Sequence, residues 1–118
     1  MQLQFDEACK VHVCLEAVDM RKSIDGLLAM VLDYFEASPQ SQSVFVFCNK
    51  AKDKVKLLVW HKNGFMLLYK RLDRGRFRLT PQESGKLEIS QAQLSWLLAG
   101  LEFQLMSEFK ELDYSVYY

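Results

Sequence analysis

Lys54-Val55-Lys56-Leu57-Leu58-Val59-Trp60-His61-Lys62-Asn63-Gly64-Phe65-Met66-Leu67-Leu68-Tyr69-Lys70-Arg71 decides the fold class. Two apolar runs rich in β-branched and aromatic residues flank Asn63-Gly64, a pair that tolerates the positive φ of tight turns, so the segment predicts an antiparallel hairpin. A loop of two or of four residues leaves the parity of facing positions unchanged, which fixes the faces without the register. Val55, Leu57, Val59, Met66, Leu68 and Leu72 then share one face, expected on the core. Lys54, Lys56, Leu58, Trp60, Phe65, Leu67, Tyr69 and Arg71 share the other, basic at one end and aromatic at the opposite end.

Upstream, Val44-Phe45-Val46-Phe47-Cys48 is continuously apolar and predicts a central strand covered on both sides. Val11, Val13 and Leu15 alternate with His12, Cys14 and Glu16, the period of a further strand. Between these strands Ile24, Leu27, Leu28, Val31, Leu32 and Phe35 form one helical stripe, with Asp19 or Ser23 placed to cap it. Downstream, Phe77 and Leu79 alternate with Arg76 and Arg78, predicting a short strand ended by Pro81. Ser90 to Gln93 fit a capping box that opens a helix over 90–101, with Leu94, Leu97, Leu98 and Leu101 on one face and Gly100 ending or bending it. A last amphipathic stretch, Leu101, Leu105, Phe109 and Leu112, leads to Tyr114, Tyr117 and Tyr118. Strands and helices are grouped and not strictly alternating. The expected architecture is therefore a single α+β domain over residues 1–118, a mainly antiparallel, meander-like sheet with helices packed on one face.

The 118 residues carry no net charge, but the charge is segregated. Residues 50–78 hold ten basic side chains, Lys62 among them, against only Asp53 and Asp73, while both flanking segments are acidic. Lys50, Lys52, Lys54, Lys56, Lys70, Arg71, Arg74, Arg76 and Arg78 are expected to gather at the basic end of the sheet. Such a cluster attracts phosphates by releasing counterions, and exposed rings such as Trp60, Phe65 and Tyr69 stack on unpaired bases or mark a partner surface. The competing reading makes Leu58, Trp60, Phe65 and Leu67 a second core face under a helix and the lysines a solvated edge that discourages aggregation.

Other chemistry is not indicated. His12 and His61 have no metal-ligand spacing to Cys9, Cys14 or Cys48, and there is no phosphate-binding glycine loop or nucleophile elbow. No metal, cofactor or catalytic centre is expected. The odd number of cysteines in apolar surroundings favours reduced thiols in a cytoplasmic protein. No apolar run reaches the roughly 20 residues of a membrane span.

Three segments resemble a known family: Val18-Asp19-Met20-Arg21-Lys22-Ser23-Ile24-Asp25-Gly26-Leu27; Phe45-Val46-Phe47-Cys48-Asn49-Lys50 with Lys52-Asp53-Lys54-Val55-Lys56-Leu57-Leu58; and Tyr69-Lys70-Arg71-Leu72-Asp73-Arg74-Gly75-Arg76-Phe77. Together with the helix beginning at Ser90 they are similar to the Orf2-like, TnpB-type accessory proteins of the insertion-sequence sixty-six family of bacterial transposable elements. The resemblance spans about residues 11–101 and leaves 102–118 as an extension. Leu79-Thr80-Pro81 stands where the family has a Trp-Pro ending, and Cys48 where a basic residue is common. The resemblance implies a non-enzymatic accessory to transposition, encoded beside a separate transposase that bears the catalytic carboxylates. On that reading DNA is held by the nine central cations, with Arg21 and Lys22 adding phosphate contacts or pairing with nearby acids. The alternative is a module that docks on the transposase through Trp60, Phe65 and Tyr69 or the terminal tyrosines.

Overall fold

Both faces of the hairpin are apolar, and both faces of Val44–Cys48 are as well, so a sheet built from them needs cover on each side. In the computed structural model, which describes residues 4–102 and 104, that requirement sets the layers. Five strands form one sheet: β1 (Lys10–Ala17), β2 (Ser43–Cys48), β3 (Lys54–His61), β4 (Gly64–Arg71) and β5 (Lys86–Ile89). Their spatial order is β4-β3-β2-β1-β5. β1 and β2 are parallel, joined across one face by α1 (Ile24–Asp33), and the other three pairings are antiparallel. The mainly antiparallel α+β class is thus as the sequence predicts, with β2-β3-β4 as its meander. β2 occupies the centre, and all six of its residues are buried.

The helices do not share a face, contrary to expectation. Leu27 and Val31 of α1 pack with Cys14, Phe45, Phe47 and Leu58. Leu94 and Leu97 of α2 (Gln91–Leu98) pack on the other side with Val11, Val13, Val44, Val46, Val55 and Leu57. Alternation within β1 and β2 aims apolar side chains both ways, and one helix covers only one of the two surfaces. Phe77 and Leu79 complete the α2 layer beside Leu72.

Local expectations differ in three places. The hairpin turn is Lys62-Asn63, with His61 opposite Gly64 and Lys62 at φ 55°, one position earlier than Asn63-Gly64. This register sets Trp60 against Phe65, ring centroids 4.9 Å apart, and cross-strand aromatic pairing outweighs the local turn preference. Residues 76–80 form no strand: Phe77 and Leu79 point inward and Arg76 and Arg78 outward as the alternation predicts, but the edge of β1 is taken by β5. α2 ends at Leu98 and not at 101. There Gly100, at φ 81°, allows the Gly100 amide to bond Leu97 and the Leu101 amide to bond Trp96, the paired bonds of a Schellman ending. The Ser90 capping box is formed as predicted. Residues 105–118, including the predicted stretch through Leu105, Phe109 and Leu112 and the terminal tyrosines, lie outside the described residues.

Candidate nucleic-acid interface

The basic end of the sheet is organised by one asparagine. Asn49 follows β2, and its side-chain oxygen accepts the amides of Asp53 and Lys54 at 3.1 and 3.0 Å while its amide donates to Asp53 at 2.7 Å. Those bonds close the turn with Lys52 in the left-handed region, at φ 60°. The turn then holds the chain beyond β4: Leu72 donates to the Asp53 carbonyl at 2.8 Å and Phe77 to the Lys52 carbonyl at 2.7 Å. Lys50, Lys52 and Lys54 are thereby brought beside Arg71, Arg74, Arg76 and Arg78, and the ladder sets Lys54 directly opposite Arg71.

The cations of this end divide into two groups. Lys56 is buried, 7% exposed, and its ammonium donates to the Met20 and Lys22 carbonyls, both at 2.7 Å. It ties β3 to the turn before α1 and is not on the surface, so it leaves the predicted set of phosphate contacts. Lys52 donates to the Leu79 carbonyl at 3.0 Å, and Lys70 to the Leu98 carbonyl at the end of α2 at 2.7 Å. Arg78 pairs with Glu102 at 2.7 Å, and Lys54 leans on Asp53 at 3.4 Å. Lys50, Arg71, Arg74 and Arg76 are exposed and have no side-chain partner among the described residues.

Asp19 does not cap α1. Its carboxylate accepts the Arg21 amide and, at 2.7–3.1 Å, the Arg21 guanidinium, and the hydrogen bonds from Arg21 hold its pKa down at about 2. Ser23 is the N-cap residue, with no side-chain capping bond. Arg21 remains 92% exposed while paired, and Lys22 is exposed beside it. The salt bridge foreseen for the Asp19-Met20-Arg21-Lys22 motif is formed.

The three aromatic residues separate. Phe65 packs with Leu67 against the α1 layer, where Leu58 is buried, and Trp60 is half-buried against Phe65. For Leu58, Phe65 and Leu67 the second-core reading therefore holds. Tyr69 alone of the three is exposed, at 55%, and it stands opposite Lys56 at the basic end. A cleft there is lined by Asp19, Arg21, Asn49, Lys50, Lys54 and Tyr69. A second opens on the other side of the 49–53 turn, between Lys52, Arg76, Arg78 and Glu102. The turn over Asn49 to Asp53 is legible in the sequence, since an Asn directly after an apolar strand is a turn signal, but the part that the Asn49 side chain plays in closing it is not.

Among the described residues no group of three or more His, Cys, Asp and Glu side chains is placed to hold a metal. His12 stacks on Phe45 at 5.2 Å, and Cys14 is buried on the same face of β1. Burial raises the pKa of both Cys14 and Cys48, Cys48 to about 11, so neither is an activated thiolate. No helix among the described residues is long and apolar enough to cross a membrane.

A family model described as IS66 Orf2 like protein matches residues 9–108. Two relatives come from Sinorhizobium fredii (strain NBRC 101917 / NGR234). Uncharacterized protein y4jC is 33% identical over 94 residues, 80% of each chain. Uncharacterized protein y4hO is 34% identical over 95 residues, 80% of this chain and 83% of the relative. No solved structure matches the chain.

Proposed function

The chain belongs to the IS66 Orf2-like family, whose members are accessory proteins associated with transposition, and from that premise we propose that it binds the element's DNA through the basic end of its sheet without itself catalysing strand chemistry. One observation carries the reading: Lys50, Arg71, Arg74 and Arg76 project from one end of the molecule with no carboxylate partner among the described residues, and Arg71 faces Lys54 across the ladder. Like charges in direct cross-strand register destabilise a sheet, and a bound polyanion relieves that repulsion. Arginine suits this role because its planar fork matches phosphate and stays charged.

Four phosphate contacts give a logarithmic dependence of duplex affinity on salt with a slope of about −3.6. Binding of purified protein to element-end DNA, titrated between about 50 and 200 mM salt where this term dominates, measures the slope directly. Replacing Arg71, Arg74 and Arg76 with alanine together is expected to flatten it by about 2.7. Absence of binding at low salt, or a slope near zero, excludes the reading.

A second reading, docking on the element's transposase, is favoured by the apolar cleft between the hairpin and α2. It is lined by Phe5, Val55, Leu57, Leu68, Leu94 and Leu98, and Met66 lies exposed on the same face of the hairpin. DNA retention that requires added transposase, survives the triple arginine substitution and is lost on Leu68→Glu supports docking instead.

A further inference from the structure

The cleft at Asp19, Arg21, Lys50 and Lys54 contains a feature that duplex binding does not use. Among the described residues Tyr69 is the only phenylalanine, tyrosine or tryptophan that is exposed. It sits on β4 and not on a loop, so its backbone is held by the full β3 ladder. Opposite it, the Lys56 ammonium lies over the ring at 5.2 Å from the centroid. That ammonium is itself fixed by the Met20 and Lys22 carbonyls. The ring is therefore positioned from one side by an immobilised cation. Around it, Arg71 stands two residues on along the same face, about 7 Å away by strand geometry, and Lys54 stands diagonally across. Lys50, Asn49 and the paired Arg21 and Asp19 also line the cleft.

Resting on the DNA-binding reading, we propose that Tyr69 is a stacking platform for an unpaired nucleobase, so that the site takes single-stranded or locally unpaired DNA, with Arg71, Lys54 and Lys50 holding the flanking phosphates. In a duplex both faces of every base are covered by neighbours, and a ring on a flat sheet surface finds no partner. In a single strand the faces are open, and one aromatic ring among cations is the arrangement that ligand fits. The approach of Lys56 strengthens the site because a cation over one ring face is electrostatically favourable and holds the ring still.

The test is fluorescence anisotropy of the full-length protein with a labelled oligonucleotide and with the same sequence as a duplex, at one salt concentration. The wild-type protein is expected to bind the single strand more tightly. Tyr69→Ala is expected to weaken single-strand binding by about tenfold and duplex binding by less than about twofold, whereas Tyr69→Phe, which keeps the ring, retains both. A thermal melt of Tyr69→Ala that is lowered by the lost Lys56 contact but stays cooperative and well above the assay temperature separates this loss from unfolding. Equal effects of Tyr69→Ala on both forms, or none on either, overturn the stacking role while leaving phosphate binding standing. Binding of neither form by the wild-type protein overturns the stacking role together with the DNA-binding reading.

Discussion

Lysines and arginines, indistinguishable in a charge count, do different work in this molecule. Lys52, Lys56 and Lys70 each donate to backbone carbonyls and Lys86 does the same at Tyr34, whereas among the described residues the paired arginines, Arg21 and Arg78, bond only carboxylates. A compact ammonium on a flexible stem reaches inward to orphan carbonyls, which a broad guanidinium does less readily. Lys56→Met keeps the stem and removes the two bonds, so it is expected to cost about 2 kcal/mol in chemical denaturation, with Lys54→Met within about 0.5 kcal/mol of wild type. Asp19 supplies the pH counterpart. Its folded pKa of about 2 lies below the ordinary carboxylate value, so its contribution is complete above the unfolded pKa and is lost as pH falls through the folded one. A carboxyl NMR titration is expected to place the Asp19 midpoint near 2 in the wild type and to return it toward 4 in Arg21→Ala.

The elements are finished by residues outside them. Neither helix has a basic residue in its last turn, yet the C-terminal end of each meets a lysine from a strand: Lys86 at the Tyr34 carbonyl and Lys70 at Leu98. Favourable charge at a helix end and satisfaction of its carbonyls thus come through tertiary contact. The turn before β5 is equally dependent on α1. Tyr34 donates its hydroxyl to the Gly85 carbonyl at 2.8 Å, and Gly85 is at φ 68°, where a Cβ would strike that hydroxyl. Gly85→Ala is therefore expected to destabilise by about 2 kcal/mol or more, from left-handed strain and displacement of Tyr34. Ser90→Ala, which removes only the α2 cap, is expected to cost about 1 kcal/mol. Thermal melts of the two variants rank them directly.

At the scale of the whole molecule, the sheet separates two cores that α1 and α2 cover independently. Leu27 and Leu97 are both fully buried, one in each layer. Each leucine-to-alanine substitution is expected to cost about 2–5 kcal/mol, and because the sites share no partner the double variant is expected to show the sum within about 0.5 kcal/mol. Urea titration of the two single variants and the double closes that cycle. A larger deviation would mean that β2, common to both layers, transmits the strain.

The sequence alone determined the α+β class, the central position of Val44–Cys48, the faces of the hairpin, the α1 stripe, the Ser90 cap and the likeness to the family. Each rests on short-range periodicity or a local motif, which neighbouring residues suffice to specify. Only tertiary structure decided that the helices take opposite faces, that Lys86–Ile89 is an edge strand while 76–80 is not, that Lys56 is buried and that Tyr69 is the ring left exposed. Those outcomes depend on which strand reaches the free edge of β1 and on where distant carbonyls lack partners. Such pairings are settled by long-range burial and hydrogen-bond satisfaction, and a run of charges or an alternating tetrapeptide carries no information about its partner across the sheet.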